Sequence, residues 1–448
     1  MNYSKISNRH IIWKFAIPQM IGLIFNSIYF IIDGIFIGRR LGPDALAAAG
    51  VAIPVVEIMI AISMLISVGA GVVISSSLGK NDTNSANQIF NKANMITLIL
   101  AASVVLLGNL FLEPLARFMG ATDLILNDTM VYLRYFITAS PFLIFSFTLS
   151  TFARNDNAPR LAMWALIVGS LSNILLDWVF MYPLNMGMAG AALATALGPV
   201  FSVMILLPHF LRKKGVLSFK FMTFSLKDVW DITVKGMAAF ITNFSIGLVT
   251  LFYNLSITHQ GMGEATLSAY VIIGYLALIA LTAFLGSSQG IQPAISFFAG
   301  SGDNDRIVSL TRSTLWFNAG LAFAFTALMW LAGPIVISLF TNDALLITNA
   351  SAIANIYFLN LVFAAVNIVL ATVLQALDYQ KASTNLSLMR STVPLMVLLV
   401  VLPLFFGPTS IWFAVIGAEV LTMVASGWIW HSISAHLDAP KDTHSQLI

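Results

Sequence analysis

Charged side chains are too rare in this chain for it to fold as a soluble globule. Among 448 residues there are 22 Lys and Arg and 19 Asp and Glu, 9% charged, against roughly 25% in a typical soluble domain. The apolar fraction is 58%, and too little polar surface remains to cover that much apolar sequence in water. A water-soluble enzyme, a nucleic-acid binder and a disordered chain are excluded. A transmembrane β-barrel is excluded as well, because its strands would alternate apolar and polar residues. The remaining class is an all-α polytopic membrane protein.

Polar and Gly/Pro clusters break the hydropathy into twelve spans, near 11–37, 46–77, 90–112, 127–151, 161–183, 188–211, 233–257, 264–298, 310–332, 344–376, 385–405 and 409–433. The longest break lies midway, so the expected organisation is an N-lobe over 1–212, a cytoplasmic loop over 213–232 and a C-lobe over 233–448 with a short cytoplasmic tail. Eighteen Lys and Arg fall on the N-terminal side of the spans, against Arg39, Arg40 and Arg117 on the other, with Arg134 inside the fourth span. The positive-inside rule places both termini in the cytoplasm. The polar N-terminus precedes a full-length span and does not read as a cleaved signal peptide. There is no cysteine, hence no disulfide and no thiol-ligated metal.

The halves resemble each other. A shift of 221 lays Leu41-Gly-Pro-Asp-Ala-Leu-Ala-Ala48 on Met262-Gly-Glu-Ala-Thr-Leu-Ser-Ala269 and Leu78-Gly-Lys-Asn-Asp82 on Ala299-Gly-Ser-Gly-Asp303. A shift of 220 lays Asp123 on Asp343. With six spans per repeat, both repeats start on the same side, and the pseudo-twofold axis runs along the membrane normal. The expected architecture is twelve transmembrane helices in two six-helix lobes.

Ionisable groups inside a bilayer are costly and usually functional. Four acids fall within spans: Asp33, Glu57, Asp177 and Glu419. Asp33 lies about one turn from the outer end of the first helix, and Asp177 about two turns from that of the fifth. Thr195 reaches a similar depth in the sixth, and Asn173 shares a helix face with Asp177. Two carboxylates, an amide and a hydroxyl make an oxygen-rich set suited to a monovalent cation or a shared proton, because two close carboxylates do not both ionise without a counter-cation. The alternative is that these residues satisfy separate local hydrogen bonds, which Asn and Thr often do between membrane helices. Glu57 and Glu419 show no partner at matching depth. At a shift of 221, Asp33 falls on Asn254 and Asp177 on Leu398, so a carboxylate-based site belongs to the first half. Asn26, Tyr29 and Asp33 share one face of the first helix, which lines either a substrate cavity or a helix seam. Pro18 provides a place for that helix to bend. No phosphate-binding loop, metal-binding histidine motif or aspartate-rich diphosphate motif occurs. The expected energy source is therefore an ion gradient, with no cofactor beyond Na⁺ or H⁺.

On these residues the chain resembles the multidrug and toxic compound extrusion (MATE) family of secondary transporters, over about residues 10–435. The likeness rests on the twelve-helix plan, Pro18 and Asp33 in the first helix, the Gly42–Ala48 and Gly79–Asp82 loops, and Asn173-x-x-x-Asp177 followed by Thr195. It implies an N-lobe cation site at Asp33, Asn173, Asp177 and Thr195, with bending associated with Pro18. The pattern is closer to the DinF-type branch than to the NorM-type, whose seventh and tenth helices carry acids; here those helices carry none.

The expectation is a cation-coupled efflux antiporter of a prokaryotic inner (plasma) membrane. It would work as a monomer, without an ATPase, on bulky amphipathic organic cations. Two alternatives make different demands on the sequence. A flippase for a polyprenyl-linked glycan calls for basic residues in the cavity, and Arg134 is the one interior base apparent from the spans. An integral membrane enzyme such as a prenyltransferase calls for clustered acids or a nucleophile–base set, and neither is visible.

Overall fold

The structure, a computed structural model, describes residues 6–437. Lys5, Lys441, His444 and the tail expected after the last span lie outside the described residues. Within them, eleven helices are long and apolar enough to cross a bilayer, and a bent pair makes a twelfth crossing. In chain order they are α1 (Asn8–Leu41), α2 (Pro43–Gly79), α3 (Thr83–Leu110), α4 (Leu126–Asn155), α5 (Pro159–Met181), α6 (Gly187–Leu211), α7 (Leu226–His259), α8 (Glu264–Ser301), α9 (Asn304–Ser338), α10 (Ala344–Tyr357 and Asn360–Ala376, bent by 47°), α11 (Gln380–Phe406) and α12 (Pro408–Leu437). Leu331, Leu404 and Trp316, each at least 76% exposed, turn apolar side chains outward, as lipid contact requires.

The helices form two lobes of six, and helix pairs recur six positions along the chain. α1 packs on α5 as α7 packs on α11; α2 packs on α4 as α8 packs on α10; α4 on α6 and α5 on α6 recur as α10 on α12 and α11 on α12. The connecting turns repeat as well. Gly42 (φ 93°) and Gly263 (φ 81°) start α2 and α8 from a backbone region that favours glycine. Asp82 (φ −92°, ψ 80°) and Asp303 (φ −92°, ψ 74°) stand at the N-caps of α3 and α9. Asn157 (φ 62°) and Asp378 (φ 71°) lead into α5 and α11. All three pairs are separated by the 221 residues of the sequence repeat.

One boundary differs from expectation. α7 begins at Leu226, inside the stretch 213–232 read as loop, because Ser225 and Asp228 form a capping box: Asp228 N donates to Ser225 Oγ (3.2 Å) and Ser225 N donates to Asp228 Oδ2 (2.8 Å). The connection before it is tied to the N-lobe. Val216 N and Leu217 N donate to Asp156 Oδ1 (2.7 and 3.3 Å), and Ser218 N donates to Asn87 Oδ1 (2.9 Å).

The lobes meet at the end of the bundle that carries the N-terminus, termed inner below. There glycines bring backbone against backbone. A Cβ added to Gly79 of α2 would lie 2.1 Å from Phe297 O of α8, and one on Gly300 of α8 would lie 2.0 Å from Ser76 O of α2. Gly236 of α7 would meet Leu65 O of α2 at 1.8 Å, and Gly286 and Gly290 of α8 would meet Met20 Cα and Ala16 Cα of α1, both at 2.5 Å. The contacts of α2 on α7 and of α8 on α1 are counterparts under the repeat. Toward the opposite end the corresponding helices separate. Gly34, Gly50, Gly247 and Gly274 have no atom within 4 Å of a built Cβ, and Ile53 of α2 is 51% exposed. We infer from this open space a cleft between the lobes at the outer end.

A side chain at Gly236 has no room without moving backbone, so Gly236→Val is expected to part α2 and α7 at the inner end. Because the chain lacks cysteine, a single Cys replacing the fully buried Ser288 of α8 reports this. Its labelling by a water-soluble maleimide should rise several-fold in the Gly236→Val background. Equal labelling in both backgrounds would show that the contact does not hold the lobes together.

Candidate functional site

Helix crossings in the N-lobe bring together the four residues singled out as a cation set. α5 and α6 cross at glycines: a Cβ on Gly169 would lie 3.0 Å from Gly198 O and 2.2 Å from Ser202 Oγ. One turn farther along each helix, this close approach sets Asn173 beside Thr195. α1 lies against α5 through Gly22, whose built Cβ is 3.0 Å from Leu166 Cδ1, and this contact carries Asp33 toward Asp177. All four side chains are buried, with exposures of 6% for Asp33, 1% for Asn173, 0% for Asp177 and 2% for Thr195.

The two carboxyl groups are close enough to interact electrostatically. Two carboxylates in that arrangement need a proton between them or a cation beside them. Asn173 fits the site best with Nδ2 donating to Asp177 Oδ2 (3.2 Å) and Oδ1 accepting from Thr195 N (3.1 Å). The reverse orientation has Nδ2 donating to Thr195 Oγ1 (3.3 Å) and sets its oxygen against another acceptor. Thr195 Oγ1 also donates to Ala191 O (3.1 Å). Asp33 Oδ1 and Asp177 Oδ1 have no hydrogen-bond partner among the described residues. Unsatisfied buried oxygens of this kind suit a small hard cation or a proton. Among the described residues no group of three or more His, Asp or Glu is placed to hold a metal.

Sequence reasoning missed Tyr132. It is 5% exposed on α4, and its hydroxyl donates to Asp33 Oδ2 (3.4 Å). Nothing in its sequence context distinguishes it from other membrane tyrosines, because the contact depends on how α4 meets α1.

Asn26 and Tyr29 line a small pocket inside the N-lobe together with Ser146, Ser170, Asn173 and Thr195. Their helix face therefore points into the lobe beside the carboxylates and not across the interlobe cleft. Glu57 is half-buried on α2 within electrostatic reach of Tyr29. Pro18 is buried and follows a π-helical turn, Ile12–Ala16. Pro18 donates no backbone hydrogen bond, and the wide turn before it accommodates the interruption. Its neighbour Gln19 accepts from Arg154 Nη1 (2.8 Å) and lies under Gly286 of α8.

Two sequence readings are corrected. Glu419 has partners: Arg390 Nε donates to its Oε1 (2.7 Å) and Asn367 Nδ2 to its Oε2 (2.7 Å). Those partners sit on α11 and α10, and linear depth counting does not reveal which helices neighbour α12. The interior bases are also different ones. Arg134 is exposed, whereas Arg154 is 2% exposed and the Arg390 side chain 14%. Each lies near a span end, where hydropathy does not separate a group facing solvent from one folded into the lobe.

With this geometry in view, the comparisons with known proteins assign the class. The MatE family profile matches residues 18–179 and 238–402, one segment in each lobe. The chain belongs to the MatE family of transporters. It is similar to the multidrug export protein MepA of Staphylococcus saprophyticus, with 25% identity over 95% of this chain and 94% of that protein. The MepA of Staphylococcus aureus strain RF122 is 26% identical over 92% and 91% of the two chains. A solved outward-facing multidrug resistance MATE transporter of the MOP superfamily matches with a TM-score of 0.91 at 21% identity, over 97% of each chain, which shows the fold.

Substitutions should grade the site. Thr195→Ala and Tyr132→Phe each remove one neutral hydrogen-bonding group, worth ~1 kcal/mol, and should raise the cation concentration for half-maximal transport about fivefold. Asp177→Asn removes a carboxylate from the set and should raise it by roughly tenfold or more. Half-maximal concentrations unchanged in all three variants would place the ion elsewhere.

Proposed function

We propose that this protein is an efflux antiporter of a prokaryotic inner membrane, exchanging Na⁺ or H⁺ for bulky amphipathic organic cations. The observation that carries this reading is the buried Asp33–Asp177 pair, joined by Asn173, Thr195 and Tyr132 in one lobe of a bundle whose cleft opens at one end. A buried dicarboxylate attracts a single cation strongly and repels anions. Membership of the MatE family and the export function named for the MepA relatives support the direction of transport. The charge asymmetry survives removal of Arg154 and Arg390 from the inner-side count, which supports cytoplasmic termini and an outward-open cleft.

Drug and coupling cation then compete, directly or through α1, and each must bind the two lobe arrangements with different affinity. α1 is suited to transmit this, since it carries Asp33 at the carboxylate pair and Gln19 and Met20 at the inner contact. Pro18 is the proposed point of bending between them. The flippase alternative gains little from the newly found interior bases. Arg154 and Arg390 belong to different lobes, and the pockets that Arg390 lines contain no other base.

The test is efflux of a fluorescent organic cation in inside-out vesicles, with Na⁺ and pH gradients imposed separately. Asp33→Asn should abolish gradient-driven transport at matched membrane expression. Wild-type rates in that variant would contradict the assignment.

A further inference from the structure

The lobes also differ at the inner end, where the first helix of each lobe meets the start of the fifth. In the C-lobe, Lys235 of α7 pairs with Asp378, which leads into α11. The repeat of 221 residues lays Lys14 on Lys235 and Arg160 on Lys381, but it lays Asn157 on Asp378 and His10 on Asp231. The N-lobe corner thus keeps both bases of its counterpart and neither acid. Among the described residues, no ion pair engages Lys14 or Arg160. The neighbouring acid, Asp156, does not serve them: its side chain is 2% exposed and is held by His209 Nε2, Val216 N and Leu217 N. An open groove of about 390 Å³ lies at this corner, lined by His10, Trp13, Lys14, Asn157 and Arg160. Ligand sites span about 300–1,000 Å³. Trp13 and Lys14 stand on the π-helical turn Ile12–Ala16 of α1, and Arg160 in the first turn of α5. No side chain caps that turn of α5, so its N–H groups add to the positive potential of the bases.

Position relative to the bilayer decides which anion suits this groove. Trp13 is 60% exposed, and Trp164, one turn beyond Arg160 on the same face of α5, is 55% exposed. Farther along α5, Leu171 and Leu175 also turn outward. Exposed tryptophans sit at the level of lipid headgroups, and exposed leucines beyond them meet acyl chains. A basic groove at that level, with an apolar stripe leading away from it, matches a molecule that joins an anionic head to a hydrocarbon tail. A soluble phosphate would use the bases and leave the stripe without a role. We propose that the N-lobe groove holds the headgroup of an anionic phospholipid from the leaflet at the inner end. Its phosphate lies between Lys14 and Arg160, and an acyl chain runs along Trp164, Leu171 and Leu175. The C-lobe corner, whose two bases are balanced by Asp231 and Asp378, has no such preference. The inference does not rest on the proposed antiport.

The test counts lipids on the delipidated full-length protein in detergent by native mass spectrometry, with phosphatidylglycerol or phosphatidylcholine added. Each base beside an anionic headgroup is worth about fivefold in affinity. The wild type should therefore prefer phosphatidylglycerol by more than about tenfold, and Lys14→Gln/Arg160→Gln should lose that preference. Asn157→Asp restores the acid of the C-lobe counterpart and removes no base; it should weaken phosphatidylglycerol by about fivefold. Asp378 takes the same left-handed backbone (φ 71°) as Asn157 (φ 62°), so the turn accepts this change. Lys381→Gln, at the exposed counterpart of Arg160, should leave binding within about twofold. Excess glycerol 3-phosphate should not displace the lipid. The proposal is overturned if the wild type shows no preference, or if either the double variant or Asn157→Asp leaves the preference intact. It is equally overturned if Lys381→Gln weakens binding as much, which would mean diffuse surface charge. Displacement by glycerol 3-phosphate would overturn it too, by making the occupant a soluble phosphate.

Discussion

Everything else in this molecule is arranged around the inner contact between the lobes, where glycines let backbone lie on backbone. Such a contact has little tolerance for intermediate positions. A built Cβ at Gly236, Gly300 or Gly79 would come within about 2 Å of a carbonyl oxygen across the interface, so close approach depends on the bare glycine backbone. Packed interfaces of this kind tend to two discrete arrangements, formed or parted. Because the contacts of α2 on α7 and of α8 on α1 are related by the repeat, opening them calls for a rotation of one lobe against the other rather than a loop movement.

The lobes are alike in helix packing and unlike in chemistry. In the N-lobe, Asp33 and Asp177 have no basic partner among the described residues, which leaves a demand for a cation. The C-lobe holds an acid already matched by Arg390, which leaves no such demand. α1 links the inner contact to the N-lobe acids: Gln19 and Asp33 are separated by 14 residues of one helix, about 21 Å along its axis at ~1.5 Å per residue. In the proposed mechanism, a change at Asp33 reaches the inner contact through that helix and its interruption at Pro18.

Much of this was legible in the sequence, for identifiable reasons. Lipid demands long apolar helices, so the spans could be read from hydropathy. A turn with positive φ demands glycine and a helix start favours aspartate, so Gly42 with Gly263 and Asp82 with Asp303 exposed the repeat. Burying charge is costly, so Asp33 and Asp177 stood out by depth alone. What could not be read was which helices are neighbours. Tyr132 meets Asp33 across helices 99 residues apart, and Arg390 meets Glu419 only because of how the consecutive helices α11 and α12 are rotated against each other. Arg154 and Arg390 lie near span ends, where a hydropathy profile cannot tell a group facing solvent from one folded into the lobe. The Ser225 capping box was present in the sequence, yet its charged surroundings made the first turn of α7 resemble loop.

The central claim is that Asp33 and Asp177 together hold one exchangeable cation whose release accompanies drug binding. The direct measurement is the number of protons, or of Na⁺ ions, released per organic cation bound by the purified protein in weakly buffered solution. The account predicts close to one in the wild type and none in the Asp33→Asn/Asp177→Asn double variant at unchanged drug occupancy. The same release from both proteins would contradict it.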